Sequence, residues 1–165
     1  MLVDLTVKDF LNKVAGNDPV PGGGSVAALN GAIASALTAM VANLTIGKKG
    51  YEPHQELMSH IAGVAGEQIK QFLADVDRDS EAYNGVFDCF KMPTTTDEEK
   101  AARSAAIQEA TKYAAMVPMQ VARNAFEMMD IISDVAHLGN RNAVTDACVA
   151  MMAARSAVLG ALMNV

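Results

Sequence analysis

Apolar and polar positions along the chain fall into blocks, and the blocks have the helical period. Val7, Phe10, Leu11 and Val14 stand at i, i+3, i+4 and i+7, the signature of one buried helix face. Thr6 precedes this run as a natural N-cap, with Asp9 three residues on completing a variant of the capping box. The short helix should end near Gly16-Asn17. Asp18 to Gly24 then reads as a loop with two prolines and three consecutive glycines.

From Ser25 to Ile46 the pattern changes character. No charged residue occurs between Asp18 and Lys48, and the block is apolar all round, which predicts a helix enclosed by others. It is long enough to cross a bilayer. Its alanine-rich body and its Asn30, Ser35, Thr38, Asn43 and Thr45 favour a core helix instead. Gly47 suits the position after the helix, and Lys48-Lys49 complement its negative end.

Pro53 can open a third helix at its first turn. That helix should run to about Phe90, with bends near Gly63, Gly66 or Gly85, and stop before Pro93. Thr96 and Glu99 form a capping box for a fourth helix, with Asp97, Glu98 and Glu99 at its positive end. Pro118 should kink it or split it in two. Gly139 marks the next break. A last helix begins between Asn142 and Asp146 and reaches Val165 with no stop signal. It is apolar nearly all round from Val144 to Val165, so it should be buried, by oligomerisation or by further helical sequence.

The pattern predicts an all-α domain over residues 1–165: a multi-helix bundle, dimeric, with two long apolar central helices and more than two-thirds helix. Composition agrees. Hydrophobic residues make up 51% of 165, aromatics only 5%, and there are 11 Met and no Trp. Alanine and methionine favour helix, and strand formers are thinly spread. A net charge of -6 argues against a general nucleic-acid binder. The start lacks the basic and apolar pattern of a signal peptide. Two cysteines, Cys89 and Cys148, make no disulfide framework and fit a reducing, cytoplasmic setting as buried, inert thiols. His54, His60 and His137 show no metal-ligand spacing, so no metal site is expected.

Two features can carry chemistry. Pro21-Gly22-Gly23-Gly24-Ser25 runs into the second helix. Such a loop lets the backbone approach a ligand and offers N–H groups at a positive helix end; its plain alternative is a tight turn capped by Ser25. It lacks the Lys-Ser/Thr of a phosphate loop. The second feature is on the third helix. At 100° per residue, Ile61, Phe72, Tyr83, Val86 and Phe90 form one stripe with Asp79 at its centre; Asp77, Glu81 and Asp88 lie opposite, and Asp75 at the edge. A carboxylate there must be paired, protonated or used. On the last helix, Asp146 stands above a strip of small residues, Ala150, Ala153, Ala157 and Gly160, where a flat ligand or another helix can lie close.

Pro19 to Ala28, Pro-Val-Pro-Gly-Gly-Gly-Ser-Val-Ala-Ala, resembles the glycine signature of the cyclodeaminase/cyclohydrolase family. That family includes the cyclodeaminase domain of formiminotransferase-cyclodeaminase and stand-alone methenyltetrahydrofolate cyclohydrolases. The likeness continues in order through Thr45-Ile46-Gly47-Lys48-Lys49, Asp79-Ser80-Glu81-Ala82-Tyr83, Met92-Pro93, Arg103, Val117-Pro118, Gly139-Asn140, Thr145-Asp146 and Asn164-Val165, essentially the whole chain. The resemblance implies a helical homodimer that binds a tetrahydrofolate derivative near the glycine loop, with no permanently bound cofactor, no nucleic-acid partner and no membrane. It also implies further helical sequence after Val165, so the chain is expected to be shortened at its C-terminus. With no formiminotransferase domain ahead, it favours a cyclohydrolase. A cyclodeaminase releasing ammonia, or a catalytically idle helical dimer, are the alternatives. By the same resemblance Asp79 and Lys48 are the candidate catalytic residues. Gly22, Gly23, Gly24, Ser25, Lys49, Arg103, Asn140 and Asp146 are the candidate substrate contacts.

Overall fold

The structure, a computed structural model, describes residues 1–165. Helix accounts for 82% of the chain and no strand forms. Five α-helices follow in order: α1 (Val7–Val14), α2 (Gly23–Asn43), α3 (Gln55–Phe90), α4 (Asp97–Leu138) and α5 (Val144–Leu162). Three-residue 3₁₀ turns precede α1, α3 and α5. The two expected caps form. Thr6 Oγ1 accepts from the Asp9 N–H, and Thr96 and Glu99 make a reciprocal capping box at the start of α4.

Boundaries shift where local chemistry competes. α2 starts at Gly23, two residues earlier than expected, with Gly22 as its N-cap. It ends at Asn43, where the chain turns before Gly47 (φ 73°). Pro118 does not divide α4, which runs unbroken for 42 residues with the proline inside and buried. Burial holds the helix together across the missing hydrogen bond.

α2 lies between α3 and α5, and α4 packs on α3 and α5. α2 and α3 are antiparallel: Gly31 meets the Phe72 ring at one level, and Gly24 meets Asp79 near the start of α2. A side chain at Gly31 would overlap that ring, so the close approach depends on glycine. The core joins Ala27, Ala28 and Ala32 of α2 to Phe72 and Val76 of α3, Met128 and Ile132 of α4, and an alanine row on α5. A smaller cluster at the far end holds Val41, Met58, Ile61 and Val135.

Both apolar helices depart from full enclosure. Of the most apolar stretch of α2, 56% is buried; for the last helix with its preceding turn the share is 28%. α5 buries Ala147, Ala150, Ala154, Ala157 and Ala161 and leaves Val149, Met152, Leu159 and Met163 in water. Its small residues let α2 lie close, as at Gly160 against Ala27. Cys148, expected in the core, is exposed on α5, and Cys89 is half-buried.

α3 and α4 outrun the bundle. Beyond Ser80, which bonds to Ser25 at the start of α2, ten more residues of α3 extend about 15 Å at 1.5 Å each. Together with the start of α4 they make a projecting helical hairpin.

Candidate functional site: a carboxylate at the glycine turn

The glycine turn, α3, α4 and the chain's end enclose a cleft of about 270 Å³. Its walls are Pro19, Val20 and Gly22–Gly24 on one side, Asp79 and Tyr83 on another, and Thr111, Ala114 and Ala115 of α4 opposite, with Asn164 and Val165 closing the end.

Asp79 reaches the cleft from α3 and meets the first turn of α2. The first intrahelical bond there runs from the Val26 N–H to the Gly22 carbonyl. The N–H groups of Gly23, Gly24 and Ser25 therefore have no helical acceptor. Ser25 Oγ stands 3.1 Å from Asp79 Oδ2, 2.9 Å from the Val76 carbonyl and 3.1 Å from Ser80 Oγ. Ser25 is fully buried inside the first turn, so it organises the carboxylate and does not cap the turn, as its position had indicated. A Cβ on Gly24 would overlap the Asp79 carboxylate; glycine there is what allows the acid to lie against the backbone.

Burial pushes the Asp79 carboxyl above its ordinary range, against the opposing pull of the Ser25 hydroxyl and backbone. Ser25 suits both protonation states. Its one proton can go to Asp79 when the acid is ionised, or to the Val76 carbonyl while a protonated Asp79 donates to Ser25 Oγ. A carboxyl with a raised pKa, open to a cleft on one side and supported on the other, is equipped to take up and return a proton.

The most enclosed acid is one turn deeper, and the stripe argument had set it at an edge. Asp75 has no exposed side-chain surface and pairs with Arg78 Nη2 at 2.7 Å. Gln71 Nε2 donates to the same oxygen at 3.1 Å, while Oδ2 has no partner. Burial raises this carboxyl as well, against Arg78 and Gln71. The edge position that periodicity gives Asp75 is nevertheless buried, because α3 packs on both α2 and α4, which the periodicity of one segment cannot show. Conversely, Tyr83 and Phe90 are 39% and 50% exposed, since α2 has ended by their level. Asp77, expected in water, accepts the Leu2 N–H at 2.5 Å.

The remaining candidate residues do not join Asp79 within one chain. Lys48, Lys49, Asn140 and Asp146 lie at the other end of α2, whose 21 residues span about 32 Å. There Lys48 Nζ donates to Asn140 Oδ1 at 2.8 Å, and the Asn140 N–H donates to Thr45 Oγ1. Asn140 Nδ2 donates to the Leu44 carbonyl. This network ties the α2–α3 connection to the α4–α5 corner. Asp146 is in the first turn of α5, favoured there by the helix dipole. The sequence had placed these residues with Asp79 because motif order carries no distance. Arg103 is on the projecting hairpin beside Phe90. No three His, Cys, Asp or Glu side chains group closely enough to hold a metal ion.

An all-helical domain with a carboxyl raised by burial at a glycine-lined cleft has the form of a class, small-molecule enzymes that use acid–base chemistry on a helical scaffold. Comparison with known proteins narrows it. Residues 6–165 match the family described as formiminotransferase-cyclodeaminase, and the chain belongs to that family. It is 39% identical over 160 residues to a methenyltetrahydrofolate cyclohydrolase of Methylorubrum extorquens, covering 97% of this chain and 77% of that protein. It is 31% identical to the mouse formimidoyltransferase-cyclodeaminase over 99% of this chain, which spans only 30% of that longer protein. A solved structure of a formiminotetrahydrofolate cyclodeaminase from Thermotoga maritima superposes with a TM-score of 0.82 at 31% identity, covering 99% of this chain and 80% of that one.

Proposed function

We propose that the protein is a methenyltetrahydrofolate cyclohydrolase, and that Asp79 moves the proton. The observation that carries the site is the Asp79 carboxyl, raised by burial and set at the glycine turn in an open cleft. The resemblance to the Methylorubrum enzyme over nearly the whole chain supports the reaction.

In this reading the cationic methenyl carbon, bridging two folate nitrogens, lies over Asp79. Water adds to that carbon and gives one proton to the carboxylate, forming a neutral tetrahedral adduct. One carbon–nitrogen bond then breaks. Asp79 returns its proton to the departing nitrogen and the adduct's hydroxyl proton leaves to solvent, giving formyltetrahydrofolate and one net proton. The carboxylate also stabilises the positive carbon before attack. The glycines admit the flat ring system against the backbone, and the free N–H groups of the α2 turn orient Asp79.

Cyclodeamination is the second reading, supported by the relatives that carry that name. A folate nitrogen attacks a formimino carbon and ammonia leaves, so the same carboxyl would shuttle the proton. Absorbance separates the two: a cyclohydrolase bleaches the near-ultraviolet band of methenyltetrahydrofolate, whereas a cyclodeaminase builds it from formiminotetrahydrofolate with release of ammonia.

The assembly we propose is a homodimer formed through the outer face of α2 and α5, where Ile33, Met40, Val149, Met152 and Leu159 would otherwise remain in water.

 Each of these side chains is at least 36% exposed in one copy, and large apolar side chains gathered on the outside of a bundle favour association. The two unpaired cysteines and the folate substrate suit a cytoplasmic enzyme.

A further inference from the structure

The face of α3 that carries Asp79 continues past the end of α2 along the projecting hairpin. Tyr83, Phe87 and Phe90 follow Asp79 at i+4, i+8 and i+11, and so share its side of the helix. Tyr83 lines the Asp79 cleft. Its ring centroid is 5.0 Å from that of Phe87, which is 6.2 Å from that of Phe90. Phe87 and Phe90 are 49% and 50% exposed, so the ladder keeps a free side in water. At its far end the Arg103 guanidinium lies 5.7 Å from the Phe90 centroid, and Nη2 donates to the Phe90 carbonyl at 3.0 Å.

Arg103 has no carboxylate. Glu99, one turn before it and the obvious partner, instead accepts from the Thr95 and Thr96 N–H groups through Oε2 as part of the α4 cap. Arg103 enters no ion pair, and its Nε is buried without a hydrogen-bond partner. A positioned arginine with most of its five donors free is equipped to take a carboxylate. From Asp79 to Phe90 is eleven residues, about 16 Å along the helix. One continuous surface thus presents, in order, a proton-moving acid, three aromatic rings and an unpaired cation.

We propose that Tyr83, Phe87, Phe90 and Arg103 form the subsite for the side arm of the substrate, an aryl amide ending in carboxylates. The aryl ring packs on the Tyr83–Phe87 pair and a terminal carboxylate meets Arg103. The proposal rests on the folate reading above for the identity of the arm. It makes the projecting hairpin a substrate-binding element rather than a spacer, and it places the reacting ring at Asp79 with the tail pointing away from the bundle.

The test is direct binding of p-aminobenzoyl-glutamate, the arm without the reacting ring, measured by calorimetry on the whole protein. Because no turnover is involved, its result stands apart from whether the protein is a cyclohydrolase. Phe87→Ala should weaken binding by roughly three- to tenfold, the range of one lost aromatic pair. Arg103→Met should weaken it by about tenfold or more, as expected for a charge-assisted hydrogen bond. p-Aminobenzamide, which lacks the carboxylates, should bind wild type and Arg103→Met alike. Phe87→Leu, which keeps apolar bulk, provides the ring test if the alanine variant does not fold. Three results would each overturn the proposal: no saturable binding to wild type at millimolar concentration, unchanged binding by both variants, or a Phe87 variant that alters only the oligomeric state. The last would make the ladder a protein interface.

Discussion

Asp79 and Asp75 stand one turn apart on α3 and have different work. Asp79 opens to the cleft and Asp75 is fully buried, paired with Arg78. Burial raises both carboxyls. The folded state therefore holds protons that the unfolded chain has released, and stability falls as pH rises from the ordinary Asp value of about 3.9 through the raised ones. Asp75→Asn mimics the neutral form. Its stability relative to wild type should improve between about pH 4 and about pH 7, read from urea midpoints at the two values. A difference that does not move with pH would mean that the Arg78 pair, and not burial, sets the charge of Asp75. Gly24→Ala tests the close approach at the turn. The new methyl overlaps the Asp79 carboxylate, so it should cost about 1–3 kcal/mol and reduce turnover as well. Wild-type stability and activity would show that the turn has room to yield. At this scale the sequence disclosed Asp79 and the glycines but ranked Asp75 as peripheral. Its burial comes from tertiary packing of α3 against other helices, which local spacing does not record.

Helices were legible because their signals are local: the Thr6 and Thr96 caps, the glycines and prolines at breaks, and the 3.6-residue period all act within one or two turns. Pro118 shows the limit of such signals. Its missing N–H predicts a break, yet side-chain burial keeps α4 continuous across it. The α3–α4 hairpin shows another. Periodicity predicts an apolar face through Phe90, but only the length of α2 decides that the last part of that face stays uncovered. The α4 cap has a measurable weight. Thr96→Ala removes the acceptor for the Glu99 N–H and should cost about 1 kcal/mol, roughly 2–4 °C in Tm for a protein of this size. A Tm unchanged in the alanine variant would mean that the cap contributes nothing beyond what water supplies.

In the whole molecule the motif residues separate into two groups at opposite ends of α2. The glycine turn and Asp79 build a cleft, while Lys48, Asn140 and Thr45 lock a corner. Their order in the sequence was readable and their separation was not, because separation follows from how α2 spans the bundle. The outer face of α2 and α5 belongs to this scale too. If two copies meet there, wild type should elute as a dimer, and Met152→Glu should shift it toward monomer by placing a charge in an apolar contact. A wild-type protein that sediments as a monomer at micromolar concentration would contradict the proposed assembly.

Turnover of methenyltetrahydrofolate by wild type and Asp79→Asn, followed as loss of its near-ultraviolet absorbance, tests the central claim most directly. The substitution keeps the shape of the side chain and removes its capacity to accept a proton. Wild type should bleach the band faster than the uncatalysed reaction. Asp79→Asn should be slower by about two to four orders of magnitude, with an unchanged circular dichroism spectrum and folate still bound. A folded Asp79→Asn variant that turns over at the wild-type rate would contradict the account and leave Asp79 as a buried cap for the first turn of α2.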